Sequence, residues 1–188
     1  VIGSISDAAG RRKVLLVALL TLSVDYLILG FASTLWVLLV GRIIAGIAGG
    51  TVPTATAYLA DISEPHEKAK NFGIIGAAFG VGFILGPALG GVLGEINSRA
   101  PFFLSAFLTG LNFLFGFFFL PESLSVENRR KFRMSSINPF ATILKILSFK
   151  GLRIPLVCFL VIAIAHWVYP AIWSYWAKQV FGWSSGMI

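Results

Sequence analysis

Five stretches of about twenty predominantly apolar residues recur along this chain, and a helix of that length is what crosses a bilayer core of roughly 30 Å. The first runs from Val14 to about Ala32; the second, after the break Ser33-Thr34, runs from Leu35 to about Leu59. A polar loop, Asp61 to Asn71, leads to a glycine-rich third span, Phe72 to Leu93. The fourth, Pro101 to Leu120, is crowded with phenylalanine and is stopped by Pro121-Glu122-Ser123. From Leu124 to Arg153 the chain is polar and basic, and a fifth span follows from about Ile154 to Trp176. Lipid cannot satisfy backbone N–H and C=O groups, so spans of this kind read as an all-α membrane protein.

Composition closes off the alternatives. In 188 residues, 57% hydrophobic and only 12% charged, an ordinary soluble domain is excluded, and 14% aromatic content excludes disorder. The net charge of +7 does not indicate nucleic acid, because the basic residues sit between apolar runs instead of forming one face. Their sorting gives orientation instead. Arg11, Arg12, Lys13, Lys68, Lys70, Arg129, Arg130, Lys131, Arg133, Lys145, Lys150 and Arg153 fall on one side, the cytoplasmic one, and Arg99 and Lys178 on the other. The lone cysteine, Cys158, and two distant histidines, His66 and His166, leave no disulfide framework and no clustered metal site. The residues before Val14 read as a loop, and Val1 in place of Met reads as a piece of a longer chain. Within the basic segment, Asn138-Pro139 reads as a helix start, with Phe140, Ile143, Leu144 and Leu147 at helical spacing, which predicts an amphipathic helix on the cytoplasmic face.

Charges inside a span cost roughly 2.5–3.5 kcal/mol on insertion scales, so each one is a site hypothesis. Asp25 lies about 11 residues past Val14, roughly 16 Å at 1.5 Å per residue, near the midplane. Arg42, in the adjacent antiparallel span, faces the same polar interior or serves as its structural ion-pair partner. A carboxylate in low dielectric suits a group that loads and releases protons, or else Asp25 is a static partner for a polar group of a neighbouring helix. Gly82, Gly86, Gly90 and Gly94 make a smooth ridge around Pro87, suited to close helix packing or to pivoting. His166 and Trp173 lie in an aromatic stretch fit either to line a pocket for a flat organic ligand or to anchor the helix at the interface. No nucleophile–base pair or phosphate loop is visible, so the chain does not read as an enzyme.

Three stretches together resemble the major facilitator superfamily, in its drug:proton antiporter branch. Gly3-Ser4-Ile5-Ser6-Asp7-Ala8-Ala9-Gly10-Arg11-Arg12-Lys13 is similar to the loop motif GxxxDxxGRR that joins the second and third helices, with Ala8 where most members carry a basic residue. Gly41-Arg42 with Gly46 resembles the fourth-helix motif. Gly73, Gly82, Gly86-Pro87 and Gly90-Gly91 match the antiporter motif of the fifth helix. Val24-Asp25-Tyr26-Leu27, Ala100-Pro101-Phe102-Phe103 and Phe181-Gly182-Trp183 are similar to tetracycline exporters.

The resemblance implies a partial superfamily fold, the third to seventh of twelve helices, with the other intramembrane carboxylates outside the chain. Residues 1–123 would belong to the first six-helix half, 124–153 to the cytoplasmic central loop and 154–188 to the start of the second half. It further implies proton-coupled efflux of a tetracycline-like small molecule across the bacterial inner membrane by alternating access, with the proton gradient as energy source and no cofactor or metal. Asp25, Arg42, His166 and Trp173 would line the proton and substrate pathway, and Gly3, Asp7, Gly10, Arg11 and Arg12 would form a cytoplasmic gate. The rivals are an exporter of another drug, sugar or metabolite on the same scaffold, and a non-transporting scaffold or relic.

Overall fold

A computed structural model describes residues 2–125, 127, 129, 149 and 151–184, with the side chains of 47, 48, 153 and 169–171 outside that set. Its helices are α1 (Ile2–Ala9), α2 (Arg11–Phe31), α3 (Leu35–Ala48), α4 (Thr51–Ile62), α5 (Lys68–Ile96), α6 (Ala100–Phe119) and α7 (Arg153–Phe181). The chain divides into two units, Val1–Phe132 and Arg133–Ile188. The amphipathic helix expected after Asn138-Pro139 lies outside the described residues.

In the first unit α2 is the central element and packs on α1, α3, α4 and α6. Its buried residues Leu15, Ala18, Asp25 and Leu29 recur at helical spacing, so one face of an otherwise apolar rod is committed to the protein. The closest approach is to α6, where small residues let the backbones meet. Ser23 Oγ donates to the Ala106 carbonyl at 2.9 Å, and a Cβ added at Gly110 would stand 3.2 Å from that hydroxyl. Phe103 fills the space beside Gly30 and meets Phe31 edge to face at 5.0 Å.

Five segments are long and apolar enough to cross a membrane: Arg11–Phe31, Leu35–Ile62, Lys68–Ile96, Ala100–Phe119 and Ile154–Phe181. The chain is multi-pass. α5 buries none of its residues in this chain, and Phe79, Phe83, Ile84 and Leu85 stand exposed. Surface of that kind is stable against lipid.

Four expectations from sequence are corrected. Residues 2–9 form a helix, not a loop; Ile2, Ile5 and Ala9 stand at helical spacing, Ser6 is fully buried, and α1 packs on α2 and α4. The second span is not one helix, because Gly49-Gly50 forms a turn between α3 and α4. Pro53 has no N–H to offer the Gly49 carbonyl, so the break falls there, and Ile2 of α1 packs where a Cβ on Gly50 would stand. The loop expected over Asp61–Asn71 shrinks to residues 63–67, since polarity bars a residue from lipid but not from a helix. The fifth span continues past Trp176 to Phe181, where Gly182 adopts a left-handed φ of 64° and its N–H donates to the Lys178 carbonyl at 3.1 Å.

Candidate functional site

Asp25 is fully buried on α2, and its Oδ2 accepts from Arg42 Nη2 of α3 at 3.1 Å. The partners are unequal, since the Arg42 side chain is 57% exposed. Asp25 Oδ1 is also buried and has no hydrogen-bond partner among the described residues. The contact exists because Asp25 lies on the packed face of α2 and because Gly41, itself buried, presents bare backbone to it. A buried carboxylate held through one oxygen depends on its single partner, and taking that partner away leaves a buried charge uncompensated.

A second charged cluster gathers at the start of α2. Arg11 Nη1 meets Asp7 Oδ1 at 2.9 Å, and its Nε pairs with Asp61 Oδ2 at the end of α4. Ser123 Oγ donates to the same Asp61 oxygen at 3.3 Å. Glu122 Oε1 accepts the backbone N–H groups of Arg11 at 2.8 Å and Arg12 at 3.4 Å, which would otherwise be orphan donors of a helix N-terminus. Gly10 allows this. Its φ of 101° lies where side-chain-bearing residues are strained, and a Cβ there would run into the Glu122 carboxylate. Tyr58 of α4 completes the fastening, its hydroxyl donating to the Pro121 carbonyl at 3.0 Å. Arg12 Nη2 donates to the Phe117 carbonyl at 2.6 Å and lies over the Phe117 ring.

Of the residues expected at a gate, the structure joins Asp7, Gly10, Arg11 and Arg12, while a Cβ at Gly3 would meet nothing within 4 Å. Sequence reading missed Tyr58, Asp61, Glu122 and Ser123. The available signal was Pro121-Glu122-Ser123, read as a helix stop alone.

The family model described as Major Facilitator Superfamily matches residues 1–188. The chain belongs to the major facilitator superfamily. It is 39% identical to the class C tetracycline resistance protein of Escherichia coli over 188 residues, which is 100% of this chain and 47% of that protein. The class B protein of Escherichia coli is 35% identical over 187 residues, 46% of its length. The quinolone resistance protein NorA of Staphylococcus aureus is 37% identical over 113 residues, 60% of this chain and 29% of that protein. Among solved structures, the human organic anion transporter MFSD10 (TETRAN) matches with a TM-score of 0.62 and 34% identity, covering 68% of this chain and 29% of that one. The chain spans about half the length of the tetracycline resistance proteins it matches.

The remaining expected residues of this major facilitator superfamily chain lie elsewhere. Gly73, Gly82, Gly86 and Gly90 sit on α5, which runs unbroken through Pro87, and an added Cβ at any of these four glycines would meet nothing within 4 Å. Gly91 lies on the same helix. His166 and Trp173 belong to α7, in the second unit, two turns apart. His166 is exposed with its ring edge-on to Trp167 at 6.1 Å, and Trp173 lies 5.5 Å from Trp176. Among the described residues, no three His, Cys, Asp or Glu are grouped to hold a metal ion.

Proposed function

We propose that this chain is part of an exporter that moves a tetracycline-like small molecule out across the bacterial inner membrane, by alternating access and driven by proton entry. The observation that carries the reading is the fully buried Asp25 held by Arg42 inside two neighbouring membrane-length segments. A carboxylate kept in a span at such cost has a use, and exchanging its charge between Arg42 and a proton is the one its geometry suits. The similarity to tetracycline resistance proteins along the whole chain supports the substrate class.

In this scheme proton uptake at Asp25 discharges the pair and frees Arg42, biasing α2 and α3 toward the other access state. The cluster of Asp7, Arg11, Asp61 and Glu122 closes the cytoplasmic side in one of the two states. Residues 1–123 then belong to the first half, 124–153 to the central loop and 154–188 to the second half, whose α7 contributes His166 and Trp173 to the drug pathway. Gly73, Gly82, Gly86, Pro87, Gly90 and Gly91 give α5 a smooth surface for the partner half. The energy source is the proton gradient, without a bound cofactor and without covalent chemistry.

The test is tetracycline accumulation in bacteria expressing the full-length protein, with and without a protonophore. Low accumulation that rises when the gradient collapses supports the reading. Accumulation equal to the vector control, with the protein present in the membrane, removes tetracycline as substrate. The similarity to NorA favours a second reading, a quinolone as cargo, which the same assay decides with that drug in place of tetracycline.

A further inference from the structure

The geometry points to Gly41 as the residue that seats the Asp25 carboxylate, so that protonation waits on the release of Arg42. This inference rests on the proposed proton coupling at Asp25 and adds a positioning residue to it.

Both oxygens of Asp25 are covered, each by something different. Oδ2 lies under Arg42 Nη2 at 3.1 Å, and Oδ1 is buried with no hydrogen-bond donor among the described residues. What stands beside Oδ1 is the backbone of α3 at Gly41: a Cβ added there would lie 2.8 Å from Oδ1 and 2.9 Å from Leu29 Cδ2. Contacts that short are not tolerated, and the group that gives way most easily is the far end of the Asp25 side chain, which turns about Cα–Cβ and Cβ–Cγ. The missing side chain of Gly41 is therefore what lets the carboxylate lie with one oxygen sealed against α3 and the other on the arginine.

Sealing has a chemical consequence. With Oδ1 closed off, the oxygen left to take a proton is the one that Arg42 covers. A hydronium ion reaches the carboxylate once the guanidinium has moved off Oδ2: one of its O–H bonds breaks as one forms on the carboxylate, a water molecule is left, the carboxylate charge is cancelled, and Arg42 keeps its own. A carboxylate turned out of this seat takes up protons without that condition.

The charged surroundings are simple. On α3 the ionisable group is Arg42, and α6 carries none. Asp7 of α1, and Tyr58 and Asp61 of α4, gather around the start of α2, about 14 residues or roughly 21 Å from Asp25 along that helix.

The experiment measures tetracycline binding to the purified full-length protein across pH, for the wild type, Gly41→Ala and Asp25→Asn. Wild type is expected to show a pH-dependent Kd, Asp25→Asn a flat profile, and Gly41→Ala a midpoint displaced by about one pH unit with its tightest Kd within about threefold of wild type. A wild-type midpoint in Gly41→Ala beside a flat Asp25→Asn overturns the role of Gly41 and leaves the coupling reading standing. A wild-type profile in Asp25→Asn overturns both. Should Gly41→Ala fail to reach the membrane, Leu29→Ala/Gly41→Ala relieves the aliphatic crowding and leaves the carboxylate crowded. A displaced midpoint in that double variant supports the seat, and a wild-type midpoint overturns it.

Discussion

Arginine meets carboxylate at two places on α2, and the two are built in opposite ways. Inside the span, Asp25 has one arginine on one oxygen and no second partner among the described residues. At the helix start, Arg11 divides its guanidinium between Asp7 and Asp61, while Glu122 holds the backbone beside it. Water and neighbouring groups stand in for a lost partner at the helix end, so each contact there contributes about 1 kcal/mol or less. Nothing stands in for one in the interior. The end cluster is redundant and suits a latch that opens and recloses; the interior pair is single and suits a switch.

The sharpest way to break this contrast is Asp25→Asn in the full-length protein. It removes the charge that Arg42 answers, and drug accumulation is expected to rise to the vector level while the amount in the membrane stays unchanged; wild-type export by this variant would end the distinction. Gly10→Ala comes next, since a side chain at a φ of 101° costs on the order of 1–2 kcal/mol and also displaces Glu122. A thermal midpoint in detergent lower by about 2–6 °C is the expected result. Glu122→Gln keeps an acceptor for the α2 backbone but loses the charge, a change of about 0.5–1 kcal/mol that shrinks in high salt. Thermal midpoints at low and high ionic strength read it directly, and a salt-independent loss contradicts the electrostatic account. Smallest is Asp7→Asn, where Asp61 still holds Arg11 and the midpoint is expected to move by less than about 2 °C. An effect on stability as large as that of Gly10→Ala would show that the cluster is not redundant.

Much of this architecture was legible in the residues because lipid is a demanding solvent. Twenty apolar residues in lipid have one solution, the helix, and a charge among them announces itself, as Asp25 and Arg42 do. Pro53 four residues past Gly49 was also on the page as a helix break, hidden by the apolar run around it. The fold of residues 2–9 was legible only in part: Ile2, Ile5 and Ala9 carry a helical period, while the burial of Ser6 comes from packing against other helices and not from its own hydrophobicity. The tight approach of α2 to α6 was not legible, since it falls on Ala106 and Gly110 of α6 and is set by where Ser23 of α2 lies.

By itself the sequence determined that the chain crosses a membrane repeatedly, which end of each helix is basic, and that a carboxylate and a guanidinium lie within neighbouring spans. These follow from local transfer energies, which each segment carries with it. Only the tertiary structure decided that Asp25 faces Arg42 through a single oxygen, that Gly41 makes room for the other, and that Glu122 reaches the start of α2 from more than a hundred residues away. Those are matters of rotation and register between packed helices, and no single helix specifies them.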